Sequence, residues 1–311
     1  MFCASIALSI NFTRRRAHQV SNCSRHFCLR FNRAAGEAQS ISATPSPTPD
    51  KSHYTLLDPT PVDLRRAYNT DRPSKTDSPY TIDAGAFQIE TDAVNYTLDR
   101  ANTGRLDIRV RTLLLGQTNF KFGLTNWMDL QLFPQGYLER RTSGRDFGPE
   151  ETVRGFGDTT VRLKINLLGD DGGNLALGLV SSLKIPTNTN HLGNSVYEPG
   201  FGLPINYTLP AGFTLFAQTR IDILDEPQSS RRRVLWSNPI GLSRAIIGNL
   251  SGYAEFYDAV SSGQNHPWIG TADVGLIYQV TSNFSVDLNS FFGVTRSADD
   301  LNLFVGCARR F

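Results

Sequence analysis

Nucleophilic catalysis needs a serine or cysteine beside a histidine that a third group orients. In this chain the histidines are scarce and poorly placed. After Tyr54 only His191 and His266 remain, each in a polar stretch near a serine, Ser195 and Ser262. Neither pair lies on an element that would hold it in reach. No GxSxG elbow and no phosphate-cradling glycine loop occurs. His18, Cys23, His26 and Cys28 gather near the start at spacings that match no standard zinc knuckle. Cys307 reads as a small apolar side chain. No catalytic, cofactor-binding or metal-binding residue is therefore assigned, and an enzyme is not expected.

The chemistry that the sequence does offer is electrostatic. Arg109, Arg111, Arg162, Lys164 and Arg220, with Glu90, Asp92, Asp222, Asp273 and Asp287, stand at alternating positions between apolar neighbours. Such spacing calls for strands, whose side chains point to opposite faces in turn. VRLKINLL puts Val161, Leu163, Ile165 and Leu167 on one face, against Arg162, Lys164 and Asn166. NLALGLVSSLKI, GFGLPINYTL, GFTLFAQTRID, TADVGLIYQV and NFSVDLNSFF repeat the pattern. No stretch of ten or more residues keeps a convincing helical period.

From Ala86 onward the pattern predicts about twelve strands, some near the ten residues that a tilted strand needs to cross a bilayer. Tight turns are expected at Thr125-Asn126, Gly169 to Gly173, Pro210 to Gly212, Ile247 to Asn249 and Thr281 to Asn283. They alternate with longer polar loops at Arg141 to Gly155, Pro186 to Pro199, Leu224 to Arg233, Ala259 to Trp268 and Arg296 to Asp300. Alternation of short and long connections is the mark of an up-and-down sheet whose two rims face different spaces. Pro204, Pro239 and a parity slip at Ala93-Val94 are expected as bulges or strand boundaries.

Energetics then sort the faces. Lys or Arg facing lipid costs about 2–4 kcal/mol at mid-membrane and little near the interfaces. All ten charged residues above are thus expected in the lumen, with the apolar stripe facing acyl chains. Trp127, Trp236, Trp268 and Tyr207 fall near strand ends, where aromatic girdles sit. Phe216, Tyr253, Tyr257 and Phe291 are the aromatic candidates on the inward face. A soluble β-sandwich also alternates apolar-in and polar-out. Long strands and the regular short/long connections favour the barrel.

Composition fits both. The 311 residues carry 31 basic and 29 acidic side chains, a net charge of +2, too little for a polyanion-binding field, so no nucleic acid partner is expected. Mean hydropathy is −0.27, and no run offers the roughly 18 apolar residues of a membrane helix. Residues 1–50 form a basic leader without a proper export signal, since its apolar run precedes Arg14, Arg15 and Arg16. An atypical signal and a start assigned too early are the two readings. Residues 51–84 are rich in proline and small polar residues, an extended periplasmic linker; Asp58 to Asp83 could also fold into the lumen as a plug, with the loose state favoured. Residues 85–311 are the barrel.

DRPSKTDSPYTIDAGAFQIETDAVNYTLDR, Asp71 to Arg100, closely resembles the opening motif of the outer-membrane transporter family named for the putative meta-pathway of phenol degradation. FKFGLTNWMDLQL, GFGDTTVRLKINLLGDDGG, SSLKIPT and the closing LFVGCARRF are similar to later signatures, so the likeness covers about Leu57 to Phe311. It implies an all-β fold, a transmembrane up-and-down antiparallel barrel in a Gram-negative outer membrane. It also implies that terminal Phe311 is an assembly signal read by the barrel-assembly machinery. The expected function is passage of small molecules, aromatic or hydrophobic ones among them, by diffusion through the barrel. A non-conducting structural or adhesive barrel is the alternative, with a lipid hydrolase behind it. Outer-membrane lipid and a small solute are the remaining expected partners.

Overall fold

The computed structural model describes residues 49–100, 107–145, 147–226, 231–262 and 268–311. All belong to one compact unit, residues 47–311. The cysteine and histidine cluster of the leader, and His266, lie outside the described residues.

Fifteen strand segments make a single antiparallel sheet. Three strands are interrupted once each, so the segments build twelve strands that close into a barrel. They are β1 (Phe87–Asp99), β2 (Arg109–Thr125), β3 (Met128–Pro134 and Tyr137–Ser143), β4 (Glu151–Phe156 and Thr159–Leu168), β5 (Leu175–Ile185) and β6 (Glu198–Thr208). Then follow β7 (Phe213–Asp225), β8 (Arg232–Ser237 and Ile240–Ile247), β9 (Leu250–Ser261), β10 (Ile269–Thr281), β11 (Phe284–Gly293) and β12 (Leu301–Arg310). Each pairs with its sequence neighbour, and β1 pairs with both β2 and β12, which closes the ring. Closure removes the edges of the ring, and only the loop-side segment Glu151–Phe156 has a strand partner on one side alone.

All five tight turns fall on one rim, together with the C-terminus and the start of β1. The long connections fall on the other. At the seam the Phe311 amide donates to the Phe87 carbonyl at 2.9 Å, and the two rings lie 5.7 Å apart.

Burial is inverted relative to a water-soluble domain. The largest fully buried side chains include Lys121, Lys164, Gln88, Gln131 and Glu90, whereas Leu163's neighbours on the outer face, such as Leu130, Leu132 and Leu183, are exposed. On β10, Val274 is 45% exposed and Asp273 1%. A sandwich would show the reverse. Trp127, Trp236, Trp268 and Tyr207 are all exposed outward.

The local faults have distinct causes. Pro239, which has no amide hydrogen, marks the break in β8. Pro204 stays inside β6 opposite Gln218, but the ladder toward β5 lapses between the pairs Leu177–Ile205 and Val180–Gly202. The slip at Ala93 is a bulge against β12, where pairing steps from Asp92–Gly306 to Val94–Val305, while pairing with β2 keeps its register. Opposite Ala93 on β2 lies Gly116, whose φ of 69° is the left-handed region that glycine enters without strain.

The left-handed turn of the backbone at Gly116 corrects two expectations. Beyond Gly116 the parity of β2 reverses, so Gln117, Asn119 and Lys121 face inward while Arg109 and Arg111 share the outer face with Leu113 and Leu115. Arg111 pairs across from Leu98 and Arg141, not from a lumenal residue. Near the long-loop rim this outer face is polar: Glu139 accepts from Arg154 Nε at 2.8 Å and Arg141 Nε at 2.6 Å.

Candidate functional site

The residues Tyr68 to Ala84 run inside the ring, and their polar groups meet the inward side chains of most strands. The Asp71 amide donates to both Glu90 oxygens at 3.2 Å. Its carboxylate accepts from Lys121 Nζ at 2.8 Å, Gln131 Nε2 at 3.1 Å and Lys164 Nζ. Arg72 donates through Nε and Nη2 to Asp287, at 3.1 and 2.7 Å, and through Nη1 to Asp92. The Lys75 and Thr76 amides donate to Glu255 at 2.9 and 3.0 Å, and Lys75 Nζ lies 3.2 Å from Asp273. Asp77 accepts from Arg162 Nη1 and Gln218 Nε2, each at 3.0 Å, with Arg220 at 3.8 Å. Pro79 presses so closely on β5 that a Cβ on Gly178 would come within 3.0 Å of its backbone. The favoured reading of residues 51–84 as a loose leader is corrected for this stretch, because its charges find buried partners that water alone would otherwise supply.

Eight of the ten charged candidates thus face the interior: Glu90, Asp92, Arg162, Lys164, Arg220, Asp222, Asp273 and Asp287. Their signs mix along the sequence but separate around the ring. From β9 through β12 to β1 the wall presents Glu255, Asp273, Asp287, Glu90 and Asp92; its basic Arg310 sits at the short-turn rim near Asp83. From β2 to β7 it presents Lys121, Arg162, Lys164, Lys184 and Arg220, with Asp129, Glu198 and Asp222 among them. The inner segment answers each arc with the opposite sign, Arg72 and Lys75 toward the acids, Asp71 and Asp77 toward the bases. Charges that are mixed along the chain are thus arranged by the ring into a transverse field.

Sequence reasoning missed Lys121, Asp129 and the roles of Asp71, Arg72, Lys75 and Asp77. Lys121 carried a signal, since FKF alternates a base between two outward aromatics. The spaced charges of DRPSKTD carried none until their partners were known.

The aromatic candidates divide likewise. Phe216 and Tyr253 are buried and meet edge to face at 6.2 Å. Phe291 packs on Phe304 at 4.9 Å, and with Tyr257 it flanks the Lys75 ammonium. Above the inner segment, toward the long loops, lies a cavity of about 240 Å³ walled by Phe133, Phe291, Phe304, Arg162 and Asn119. Below it a larger cavity of about 700 Å³ opens at the short-turn rim beside Arg66, Arg310 and the turn Gly169 to Gly173. The long loop 186–197 seats Leu192 against inward Leu114 and Leu138.

At the short-turn rim the segment is clamped to the β4–β5 turn. Asp170 accepts from the Thr81 amide at 3.0 Å and pairs with Arg66 at 3.2 Å. Burial pushes its carboxyl up to about 6 despite Arg66 and Thr81. Its neighbour Asp171 goes the other way: hydrogen bonds from Arg66, Lys51 and Asn126 outweigh burial and hold it at about 2. Arg65 Nη1 donates to the Phe311 backbone oxygen at 2.9 Å, tying the segment to the seam.

Residues 70–311 match the family described as Putative MetA-pathway of phenol degradation. No curated protein matches the sequence. Among solved structures, an outer membrane channel from Pseudomonas putida F1 is similar in fold, with 13% identity and a TM-score of 0.58 over 78% of this chain and 100% of that one. Looser likenesses include the translocator domain of autotransporter NalP from Neisseria meningitidis, at 11% identity, TM-score 0.47 and coverage of 73% and 88%. The CymD monoaromatic hydrocarbon channel follows at 9%, 0.41 and the same coverage of 73% and 88%.

Proposed function

Because this chain belongs to the family described as Putative MetA-pathway of phenol degradation, we propose that it is an outer-membrane diffusion channel for small hydrophobic molecules, aromatic ones among them, closed by its own inner segment. The observation that carries this reading is the ion-paired stretch Asp71 to Asp77, which divides a polar lumen into separate cavities. A barrel of twelve strands is wide enough for a narrow pathway only if its interior is not filled. Passage therefore requires the segment to move, and the charges that hold it are the ones a passing solute meets. The lumen works by exclusion and attraction, without bond making. Lipid surrounds the barrel, and Phe311, paired to Phe87 at the seam, serves as the signal for the assembly machinery.

The test is single-channel recording in planar bilayers, joined to uptake of aromatic and polar solutes by liposomes carrying the full chain. Wild type is expected to open rarely and to small conductance, and weakening the Asp71 contacts should raise its activity. Correctly folded, heat-modifiable protein that neither conducts nor accelerates uptake in any variant would overturn the channel reading in favour of a structural barrel.

A further inference from the structure

The Lys75 side chain occupies a site built for an ammonium group. Its Nζ lies 4.6 Å from the Tyr257 ring centroid and 4.4 Å from that of Phe291, so two π faces flank the charge. Cation–π attraction is strongest when the cation is desolvated. Asp273, 1% exposed, stands 3.2 Å away, and neither of its oxygens has a well-aligned hydrogen-bond donor. Thr271 Oγ1 accepts from the same Nζ. Two aromatic faces, a buried carboxylate and a hydroxyl form a receptor for R–NH₃⁺, not a surface ion pair.

The surroundings fit a ligand longer than a lysine tip. The cavity of about 240 Å³ beside Lys75 has room for one aromatic ring, with Phe133, Phe291 and Phe304 in its wall beside the charged Arg72, Arg162, Glu90 and Asp92. The wall strands that hold the cage carry Glu255, Asp273 and Asp287 with no wall base among them, so the cage itself favours a cation, while Arg72 and Arg162 line the adjoining cavity. Lys75 reaches the cage from the inner segment, whose own backbone amides at residues 75 and 76 are held by Glu255. A solute that takes the cage displaces the side chain that helps to keep the segment in place.

We propose that the lumen recognises small molecules bearing an ammonium group on an apolar or aromatic body, and that Lys75 is the built-in occupant of that site. This rests on the channel reading and narrows its solute class: the amine docks against Asp273, Tyr257 and Phe291, and the ring enters the neighbouring phenylalanine pocket. Benzylammonium is the simplest probe. Benzyl alcohol is its neutral counterpart, and benzoate carries the opposite sign.

The experiment is isothermal titration of the three probes into the full-length barrel in detergent, using wild type, Lys75→Ala and Lys75→Met. Both substitutions vacate the cage, and Lys75→Met keeps the stem in place should the shorter variant fold poorly. Benzylammonium is expected to bind at least tenfold more tightly to either variant than to wild type. Adding Asp273→Asn should remove that gain while leaving benzyl alcohol unchanged. Equal gains for benzyl alcohol and benzylammonium, no gain for benzylammonium in a variant whose heat-modifiability is normal, or indifference to Asp273→Asn would each overturn the proposal. The channel reading fails separately, through absence of flux. An ammonium site in a barrel that passes no solute would leave the cage intact and remove only its role in transport.

Discussion

Replacing Asp71 with Asn removes one negative charge from the point where two buried lysines converge. Lys121 keeps Glu90 at 3.1 Å, but Lys164, fully buried, keeps only the Tyr80 carbonyl, at 3.5 Å, within hydrogen-bond reach, with the buried Asp129 across the strands as its remaining opposite charge. Removing one partner of a buried ion pair costs about 3–5 kcal/mol, because the other charge stays desolvated. That cost falls on the closed state alone, since Lys164 gains access to lumenal water once the segment leaves. At about 1.4 kcal/mol per factor of ten, the closed-to-open equilibrium should shift roughly a hundredfold, the lower end allowing for water entry. Open probability in planar bilayers measures it directly. Lys164→Met on the Asp71→Asn background removes the stranded charge and should recover much of the closure, a coupling that a double-mutant cycle quantifies. An open probability within twofold of wild type for Asp71→Asn, or strict additivity with Lys164→Met, would refute the view that these ion pairs hold the segment.

Other consequences are as direct. The folded-state value of Asp170 lies above its ordinary one, so docking of Thr81 and Arg66 weakens as pH rises from 3.8 to about 6 and is constant above. Openings should be more frequent at pH 7.5 than at pH 5, and Asp170→Asn should flatten that dependence; Asp171, held low, acts in the opposite sense only below pH 3.8. Val274→Arg places a charge on the lipid face and should cost about 2–4 kcal/mol in urea unfolding from liposomes, whereas Arg309→Lys, which keeps a charge already close to the rim, should cost little. Arg109→Gln and Arg111→Gln, on the outer face beyond Gly116, should leave conductance and ion selectivity unchanged; a shift in reversal potential would return them to the lumen. Phe311→Ala, losing the contact with Phe87, should lower the heat-modifiable fraction assembled in cells more than it lowers the stability of barrels already folded.

What the sequence determined by itself was the wall. A period of two is a local property, and at Leu163-Lys164 or Asp273-Val274 each residue's face follows from its neighbours because lipid and water exact opposite costs. Turn residues fixed the alternation of short and long connections for the same local reason. The tertiary structure decided whatever depended on counting around the ring or across it. A left-handed Gly116 opposite the bulged Ala93 set Arg109 and Arg111, which precede it, on the face opposite to Lys121, since one irregular residue exchanges the faces on its two sides. Charges that read as a mixture along the chain became an acidic arc facing a basic one only after closure set β1 beside β12. The spaced charges of Asp71 to Asp77 likewise acquired their meaning from partners on β1 to β11, tens to hundreds of residues away in sequence, which no local pattern encodes.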